Sequence, residues 1–396
     1  MEAKGAPPLR GLKVVELARI LAGPWMGQTL ADLGADVIKV ESPGGDDTRS
    51  WGPPFIEREG ERSAAYFHAC NRGKRSIVAD FTTEAGRDIV LRLAATADVL
   101  IENFKVGGLA KYGLDYASLR AINPRLVYCS VTGFGQDGPE AQRAGYDFMI
   151  QGMAGIMDLT GDPAGEPQKV GVAFADIFTG VYGVVAIQAA LWQRRTTGLG
   201  SHVDMALFDC MTGVLANQAM NYLASGIAPR RLGNAHPNIA PYQTLPVADG
   251  HVIVACGNDG QFARLTALLG LPALATDARF ATNPARVTHR DDLTCALEEA
   301  TMRWTRDDLL AGLERSGVPA GPINTVADVF AEPQFRHRDM AIEAEGIPGI
   351  RTPITLSNAD LHLAHPSPRL GEHGDAIRRR LAEEPAWPER QGSSDG

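Results

Sequence analysis

A strand, a helix and a second strand follow one another within roughly thirty residues near the start of the chain. Residues 12–17 are apolar and strand-like, a helix with Pro24 in its first turn ends at Gly34, and residues 35–41 form the next strand. Two strands joined by a helical crossover lie parallel, with a right-handed connection. This unit therefore predicts a parallel sheet.

The same alternation continues through the first half of the chain. Further strands are predicted at residues 77–80, 98–101 and 125–131, with helical segments between them. Alternating strands and helices indicate an α/β fold, here Rossmann-like. The sequence Glu-Asn-Phe at 102–104 follows one strand at its carboxyl end, where such sheets bind their ligands. The glycine fingerprint GxGxxG is absent after the first strand, which argues against a nicotinamide dehydrogenase.

The pattern changes near residue 227, where a loop rich in proline, glycine, asparagine and arginine precedes two strands and three helices. We predict a large domain over residues 1–226, completed by 331–384, and a smaller α+β domain over 227–330. The last residues, 385–396, are polar and contain proline and glycine, so a disordered tail is predicted there.

The charge balance restricts the partners of the protein. A net charge of −9 argues against nucleic-acid binding and against attachment to a membrane through basic residues, since both need a basic footprint. The five cysteines form no CxxC pair, and none has a histidine or a second cysteine at metal-ligand spacing. We therefore expect reduced thiols, a cytoplasmic location and no bound metal.

A long apolar segment covers residues 172–192, and Asp176 is the charged residue within it. A helix would place Asp176, Thr179, Gly180 and Gly183 on one small, polar face, with room beside the carboxylate. The acidic residue, the two glycines and the polar flanks favour a buried core helix over a membrane span. Asp176 is then either a structural carboxylate with an unseen partner or a group held out of water as nucleophile or base.

Lys74 and Arg75 follow Arg72 in a cationic stretch that leads into a predicted strand. Such a stretch is usually a solvated loop. Three cations in four residues can also contact phosphate groups through charge-assisted hydrogen bonds. The residue pattern leaves both interpretations open.

Five short motifs occur in a fixed order along the chain. They are Leu-Ala-Gly-Pro at 21–24, Leu-Gly-Ala-Asp-Val-Ile-Lys-Val-Glu at 33–41, Lys-Arg-Ser at 74–76, Glu-Asn-Phe at 102–104, and residues 170–180 with Asp176. Together they resemble the family III CoA-transferases, and the resemblance extends over nearly the whole chain, from Gly11 to about Arg380. It implies a homodimer of two interlocked chains.

For the activity, the resemblance implies that Asp176 is a nucleophile. It would take CoA from an acyl-CoA donor and pass it to a carboxylic acid through an anhydride and an aspartyl-CoA thioester. Acyl-CoA and the acid are then substrates, and no tightly bound cofactor is expected. Such intermediates require a site that excludes water.

The family's CoA contacts correspond to residues at several strand ends. In this chain they are Leu21, Ala22, Ala79, Asp80, Asn103, Phe104, Lys105, Lys111, Tyr146 and Asp147. Two positions depart from the family: Leu21 stands where formyl-CoA transferase has glutamine, and Ser42 stands where relatives have an arginine for the nucleotide end. Lys74, Arg75 and Lys111 are the candidates to bind the phosphates instead.

The second domain resembles succinyl-CoA:dicarboxylate transferases of the glutarate type, through residues 216–223 and 233–243. This resemblance implies succinyl-CoA as donor and a dicarboxylic acid as acceptor. Arg230, Asn234 and His236 are the candidates to bind the far carboxylate of that acid. A loop of solvated charges is the alternative for these residues.

Two other functions stay open for the same scaffold. The α-methylacyl-CoA racemases of the family have a histidine where this chain has Tyr146, and a phenol gives up its proton too reluctantly for a two-base exchange. A non-catalytic acyl-CoA-binding protein is the second alternative, and Asp176 on its small face argues against it. We predict a CoA-transferase.

Overall fold

The computed structural model describes residues 5–384 and 386–390, and the chain divides into two compact units. The large unit contains the described residues up to 154, residues 170–214, and the described residues from 334 onward. The small unit contains residues 155–169 and 215–333. The predicted small domain, 227–330, is therefore extended at both ends and also gains residues 155–169.

Arg231 explains why residues 155–169 belong to the small unit. Its guanidinium donates hydrogen bonds to the carboxylate of Asp158 and to the carbonyl oxygens of Asp162 and Gly165. These partners are more than sixty residues away in sequence. Local sequence patterns could not reveal the connection.

The strands in chain order are β1 Lys13–Glu16, β2 Asp36–Glu41, β3 Phe55–Arg58, β4 Glu61–Ala64, β5 Arg75–Val78, β6 Val99–Glu102, β7 Val127–Thr132, β8 His202–Ala206, β9 Tyr242–Val247, β10 Gly250–Ala255, β11 Ala320–Pro322, β12 Ala341–Ala344 and β13 Ile347–Ile350. The helices are α1 Ala22–Asp32, α2 Ala65–His68, α3 Glu84–Thr96, α4 Tyr116–Ile122, α5 Asp147–Met153, α6 Ile156–Leu159, α7 Phe174–Thr197, α8 Leu207–Gly213, α9 Ala216–Ser225, α10 Asp259–Leu268, α11 Asn283–Thr288, α12 Arg290–Thr301, α13 Arg306–Arg315, α14 Val326–Ala331, α15 Pro333–His337 and α16 Gly374–Glu383.

The large unit is built on a six-stranded sheet in the order β5-β2-β1-β6-β7-β8, and all neighbouring pairs are parallel. In chain order this is the 3-2-1-4-5-6 arrangement of doubly wound sheets, so the predicted α/β, Rossmann-like class is confirmed. The direction of winding reverses between β1 and β6. In such sheets a crevice opens outside the carboxyl ends of the strands at this point.

The central strands are buried on both faces, as expected for a parallel sheet covered by helices. Val15, Ile38 and Leu100 are fully buried in one cluster with Val90 and Leu93 of α3. Each such side chain contributes about 1.5–3 kcal/mol when it is removed from water. This core gives the strand ends a rigid support.

Helix α7 packs closely on α1 through its two glycines. A Cβ atom on Gly183 would lie 2.1 Å from Cε of Met26, and one on Gly180 would lie 2.9 Å from Cδ1 of Trp25. The expectation that these glycines clear space beside Asp176 is therefore wrong, because they fill a helix–helix contact.

The opposite face of α7 is open to solvent. Within the described part of the chain, α7 is the helix that is long and apolar enough to cross a membrane, judged by length and composition alone. Val181, Tyr182, Val185 and Trp192 are exposed. The prediction of a buried core helix thus holds for one face of α7 only.

The small unit contains the antiparallel sheet β11-β10-β9. Its core joins Leu245 and Val252 of the sheet to Phe262, Leu297 and Leu313 of the surrounding helices. Strands followed by helices around an antiparallel sheet agree with the predicted α+β character of this part.

The residues after α16 depart from the predicted disordered tail. Trp387 is buried, and its indole N–H donates a hydrogen bond of 2.8 Å to Asp36. Arg390 donates to the carbonyl oxygen of Gly73. A buried indole holds residues 386–390 on the large unit, while residue 385 and residues 391–396 of the predicted tail lie outside the described residues.

Candidate active site

Asp176 lies in the first turn of α7, beside a second carboxylate. Oδ1 of Asp147, at the start of α5, accepts hydrogen bonds from the backbone N–H groups of Ala175 (2.8 Å) and Asp176 (3.4 Å). Its Oδ2 accepts another from Gln151 (2.8 Å). An anionic group at a helix start is favoured by the helix dipole. Asp147 therefore fixes the first turn of α7 and with it the backbone of Asp176.

The surroundings of Asp176 favour its neutral form. Burial raises the pKa of the Asp176 carboxyl to about 7, and the Asp147 carboxylate acts in the same direction. Burial and then the charges of Asp176 and Asp147 also raise the pKa of Tyr66, which sequence patterns did not single out. Near neutral pH, Asp176 is therefore balanced between acid and carboxylate, as expected for a reactive group rather than a paired structural one.

This balance predicts a pH-dependent stability. The pKa of Asp176 is about 7 when folded, above its usual value of 3.8, so ionisation opposes folding and stability is lost as the pH rises from about 4 through 7. Asp176→Asn removes that loss. We expect this variant to be more stable than the wild type at pH 8 by on the order of 1 kcal/mol, after allowance for partial exposure.

Urea unfolding at pH 4, 6 and 8 measures this difference. It should be smallest at pH 4, increase to about pH 7 and then stay constant. Asp137→Asn, at an exposed position, is the matched control and should show no such pattern. Equal stability of wild type and Asp176→Asn at all three pH values would contradict the assigned environment.

A cavity of about 270 Å³ lies beside Asp176, at the carboxyl ends of β1 and β6. This is the crevice that the strand order predicts. The predicted contacts that line it together with Asp176 are Leu21, Ala22, Asn103, Phe104, Lys105, Tyr146 and Asp147. Residues from four separate parts of the sequence therefore meet at one site.

Lys74 lies inside the large unit and not in this cavity. Its ammonium group donates to Glu16 Oε1 (2.9 Å), to the Pro24 carbonyl (2.9 Å) and to Asn71 Oδ1 (2.8 Å), and lies 2.8 Å from Glu16 Oε2. The side chains of Lys74 and Glu16 are fully buried. The structure thus corrects the prediction that Lys74 contacts phosphates, because its donors are engaged below the site.

Four further predicted contacts lie outside the cavity lining. The buried guanidinium of Arg75 forms a two-point ion pair with Asp36, which also corrects its assignment to the phosphates. Ala79 is buried, and Asp80 accepts hydrogen bonds from Thr82. Lys111 is exposed, with its ammonium group over the Tyr112 ring.

The cations that do line the cavity are Arg19, Lys105 and Arg143. Sequence patterns missed the two arginines, although Arg19 lies two residues before Leu21 and Arg143 three residues before Tyr146, both predicted contacts. Arg19 also borders a neighbouring cavity of about 130 Å³, which includes Phe104 and Ser42. The two cavities share Arg19 and Phe104, so an extended ligand could occupy both.

A family model described as CoA-transferase family III matches residues 9–374. The chain belongs to this family. The resemblance inferred from the five motifs is confirmed, and so is the prediction of a CoA-transferase.

Individual relatives agree with this assignment. A succinate–glutarate CoA-transferase of Agrobacterium fabrum is 60% identical over 95% of this chain and 96% of that protein. The human succinyl-CoA:glutarate CoA-transferase is 41% identical over 94% of this chain and 86% of its own length. A crystal structure of a CaiB/BaiF family protein from Brucella suis superimposes with a TM-score of 0.87 at 73% identity, covering 95% of this chain and 100% of that one.

Tyr146 bears on the choice among activities within the family III CoA-transferases. It is 68% exposed, precedes α5 and lines the cavity with Asp176. The residue that would have to be a second base in a racemase is therefore a phenol at the cavity mouth. This placement gives the racemase alternative no support.

The small unit of this CoA-transferase contains its own cavity, of about 660 Å³. Arg230 and Asn234 line it, together with Gln243 and Thr244 of β9. His236 does not line it, and its Nδ1 atom accepts a hydrogen bond from the backbone N–H of Asn238. Two of the three predicted acceptor residues are thus brought together, and the third is not.

Proposed function

We propose that this CoA-transferase moves CoA from succinyl-CoA to a dicarboxylic acid, with Asp176 as the covalent nucleophile. The observation that carries the proposal is the half-buried carboxyl of Asp176 in the cavity lined by most of the family's CoA contacts. The names of the Agrobacterium and human relatives support the donor and the class of acceptor.

The first half of the reaction forms a thioester on the enzyme. The Asp176 carboxylate attacks the thioester carbonyl of the donor, the C–S bond breaks, and CoA leaves as the thiolate. The product is a mixed anhydride between Asp176 and the donor acid. The thiolate then attacks the aspartyl carbonyl, releases the donor as its carboxylate and leaves an aspartyl-CoA thioester.

The second half runs the same bonds in reverse with the acceptor. The acceptor carboxylate attacks the aspartyl thioester and expels the CoA thiolate, which gives an anhydride between Asp176 and the acceptor. The thiolate attacks the acceptor carbonyl of that anhydride, which forms the new acyl-CoA and restores the Asp176 carboxylate. No proton is gained or lost, so the site needs no general base.

The site supports these steps in two ways. Burial of Asp176 weakens the hydration of its carboxylate, and Leu21 adds an apolar wall that limits water near anhydride and thioester intermediates. Arg19, Lys105 and Arg143 offer positive charge to the phosphates of CoA, in place of the predicted Lys74 and Arg75.

We propose that Arg230, which lines the small-unit cavity, binds a carboxylate of the acceptor acid. Arg230→Met should raise the KM for glutarate by about 10- to 100-fold, because a charge-assisted contact is lost, and leave the KM for succinyl-CoA within about threefold. Arg303→Met, on an exposed arginine of the same unit, is the control and should change neither. An unchanged KM for glutarate in Arg230→Met would remove Arg230 from the site.

The reaction itself is tested with a panel of acids. The wild-type protein is incubated with succinyl-CoA and glutarate, itaconate, malate, mesaconate, oxalate or carnitine, and mass spectrometry identifies the acyl-CoA products. We expect new thioesters from dicarboxylic acids and none from carnitine. Exchange with carnitine alone would contradict the dicarboxylic class.

We also propose that the protein is a homodimer in which a second copy covers the open face of α7. Val181, Tyr182, Val185 and Trp192 form an exposed apolar surface on that helix, and apolar patches of this kind are typical of subunit interfaces. The interlocked form is the one that the family resemblance implies. Sedimentation analysis of the wild type and Val185→Glu tests it, with a dimer and a weakened dimer as the expected results.

A further inference from the structure

The backbone between β1 and α1 is held by buried or half-buried side chains from separate parts of the large unit. Asn103 binds Arg19 at two points: its Oδ1 accepts from the Arg19 N–H (2.9 Å), and its Nδ2 donates to the Arg19 carbonyl (2.7 Å). Lys39 donates to the carbonyl of Ala18 (2.8 Å). Asp46 accepts from the N–H of Ile20 at 3.3 Å through each oxygen.

Ile20 is the residue that needs this support. Its φ angle is +74°, in the left-handed region that β-branched residues avoid because of steric crowding. Backbone strain of this kind persists only where several neighbouring groups hold the residue in the strained conformation, and it is concentrated at functional sites. Asn103 and Asp46 both bind the peptide group between Arg19 and Ile20, directly before the strained angle.

The groups that hold Ile20 are themselves anchored. The ammonium group of Lys39 lies 2.9 Å from Asp46 and 3.0 Å from Glu16, and all three side chains are essentially inaccessible to solvent. Glu16 is also bound by Lys74. The buried charges therefore form one network beneath the turn, and Lys39 and Asp46 connect the turn to it.

We infer that Asn103 is a positioning residue, which holds the peptide group before Ile20 and with it the left-handed turn at the cavity wall. Ile20 and Leu21 line the cavity with Asp176, so their backbone sets the wall against which the reacting acyl group lies. The inference rests on the proposed function for the identity of that acyl group. The role of Asn103 in fixing the turn does not depend on it.

A double-mutant cycle between Asn103 and Ile20 tests this role. Asn103→Ala should lower kcat/KM for succinyl-CoA by on the order of 10- to 100-fold, since a small displacement of the cavity wall beside the reacting acyl group is enough for such a loss. Glycine adopts a positive φ without strain. In an Ile20→Gly background, Asn103→Ala should therefore reduce kcat/KM by less than about threefold relative to Ile20→Gly alone.

Ile20→Val is the matched control, because valine keeps the branched Cβ and the strain. Asn103→Ala in that background should cost as much as in the wild type. An equal loss in all three backgrounds, with a matching increase in the Kd of free CoA, would overturn the inference and attribute the loss to a contact between Asn103 and CoA.

Amide hydrogen exchange tests the positioning role of Asn103 independently of the proposed function. Asn103→Ala should speed amide exchange of residues 19–22 by about tenfold or more in the wild-type and Ile20→Val backgrounds, and by less in Ile20→Gly. This readout needs no substrate. If amide exchange becomes faster as predicted but no transfer of CoA to any acid is found, the proposed function fails and the positioning role stands. If amide exchange of residues 19–22 is unchanged, the positioning role is overturned.

Discussion

Asp176→Asn is expected to reduce CoA exchange from succinyl-CoA by at least about 10⁴-fold, because it removes the nucleophile and leaves only binding and positioning. The substitution preserves the size of the side chain, and the Asp147 cap on α7 binds backbone N–H groups that the change leaves in place. The helix start and the cavity should therefore persist. The Kd of free CoA should stay within a few-fold of the wild-type value.

Initial rates of acyl-CoA formation and calorimetric titration of CoA measure the two quantities separately. Asp137→Asn, at an exposed site, should retain full activity. Full exchange activity in Asp176→Asn would end the covalent mechanism. Loss of both activity and CoA binding would instead indicate a damaged site, which the unfolding measurements on the same variant would reveal.

Lys74→Met is expected to lower the free energy of unfolding by about 3–5 kcal/mol, since removal of one partner from a buried ion pair leaves the other charge poorly compensated. Glu16 keeps one contact, with Lys39, but loses two close contacts to Lys74. Methionine has a similar length, so the lost charge accounts for most of the effect. Urea unfolding at pH 7 measures the difference.

Lys105→Met is the matched control, because it removes a lysine that lines the cavity instead of a buried one. Lys105 is exposed and lines the cavity, so its loss should change stability by no more than about 0.5 kcal/mol and raise the KM for succinyl-CoA. Should Lys74→Met prove as stable as the wild type but weak in CoA binding, Lys74 would belong at the phosphates after all.

The periodic features of the chain were predictable from sequence. Five of the six strands of this sheet, β1, β2, β5, β6 and β7, lie within about two residues of their expected positions, because buried parallel strands are continuous apolar runs bounded by turn residues. The sixth strand, β8, contains His202 and Asp204 and was not predicted. The carboxyl-end positions of Asn103 and Phe104 follow from the same pattern. The location of Asp176 on an apolar helix was equally visible.

Features set by distant contacts were not predictable. Lys74 meets Glu16 across 58 residues and Arg75 meets Asp36 across 39, so a run of cations that resembled a phosphate site is an internal ion-pair network. Gly180 and Gly183 were expected to leave space beside Asp176, but they instead allow α7 to pack closely on α1. The strained φ angle of Ile20 has no signature in its own residue type.

The covalent role of Asp176 is tested most directly by trapping its acyl intermediate. The wild-type protein is incubated with succinyl-CoA and hydroxylamine, digested, and the peptide that contains Asp176 is analysed by mass spectrometry. We predict a hydroxamate on Asp176 that requires the donor and is absent from Asp176→Asn. Continued CoA exchange by an enzyme that shows no hydroxamate at Asp176 would contradict the account.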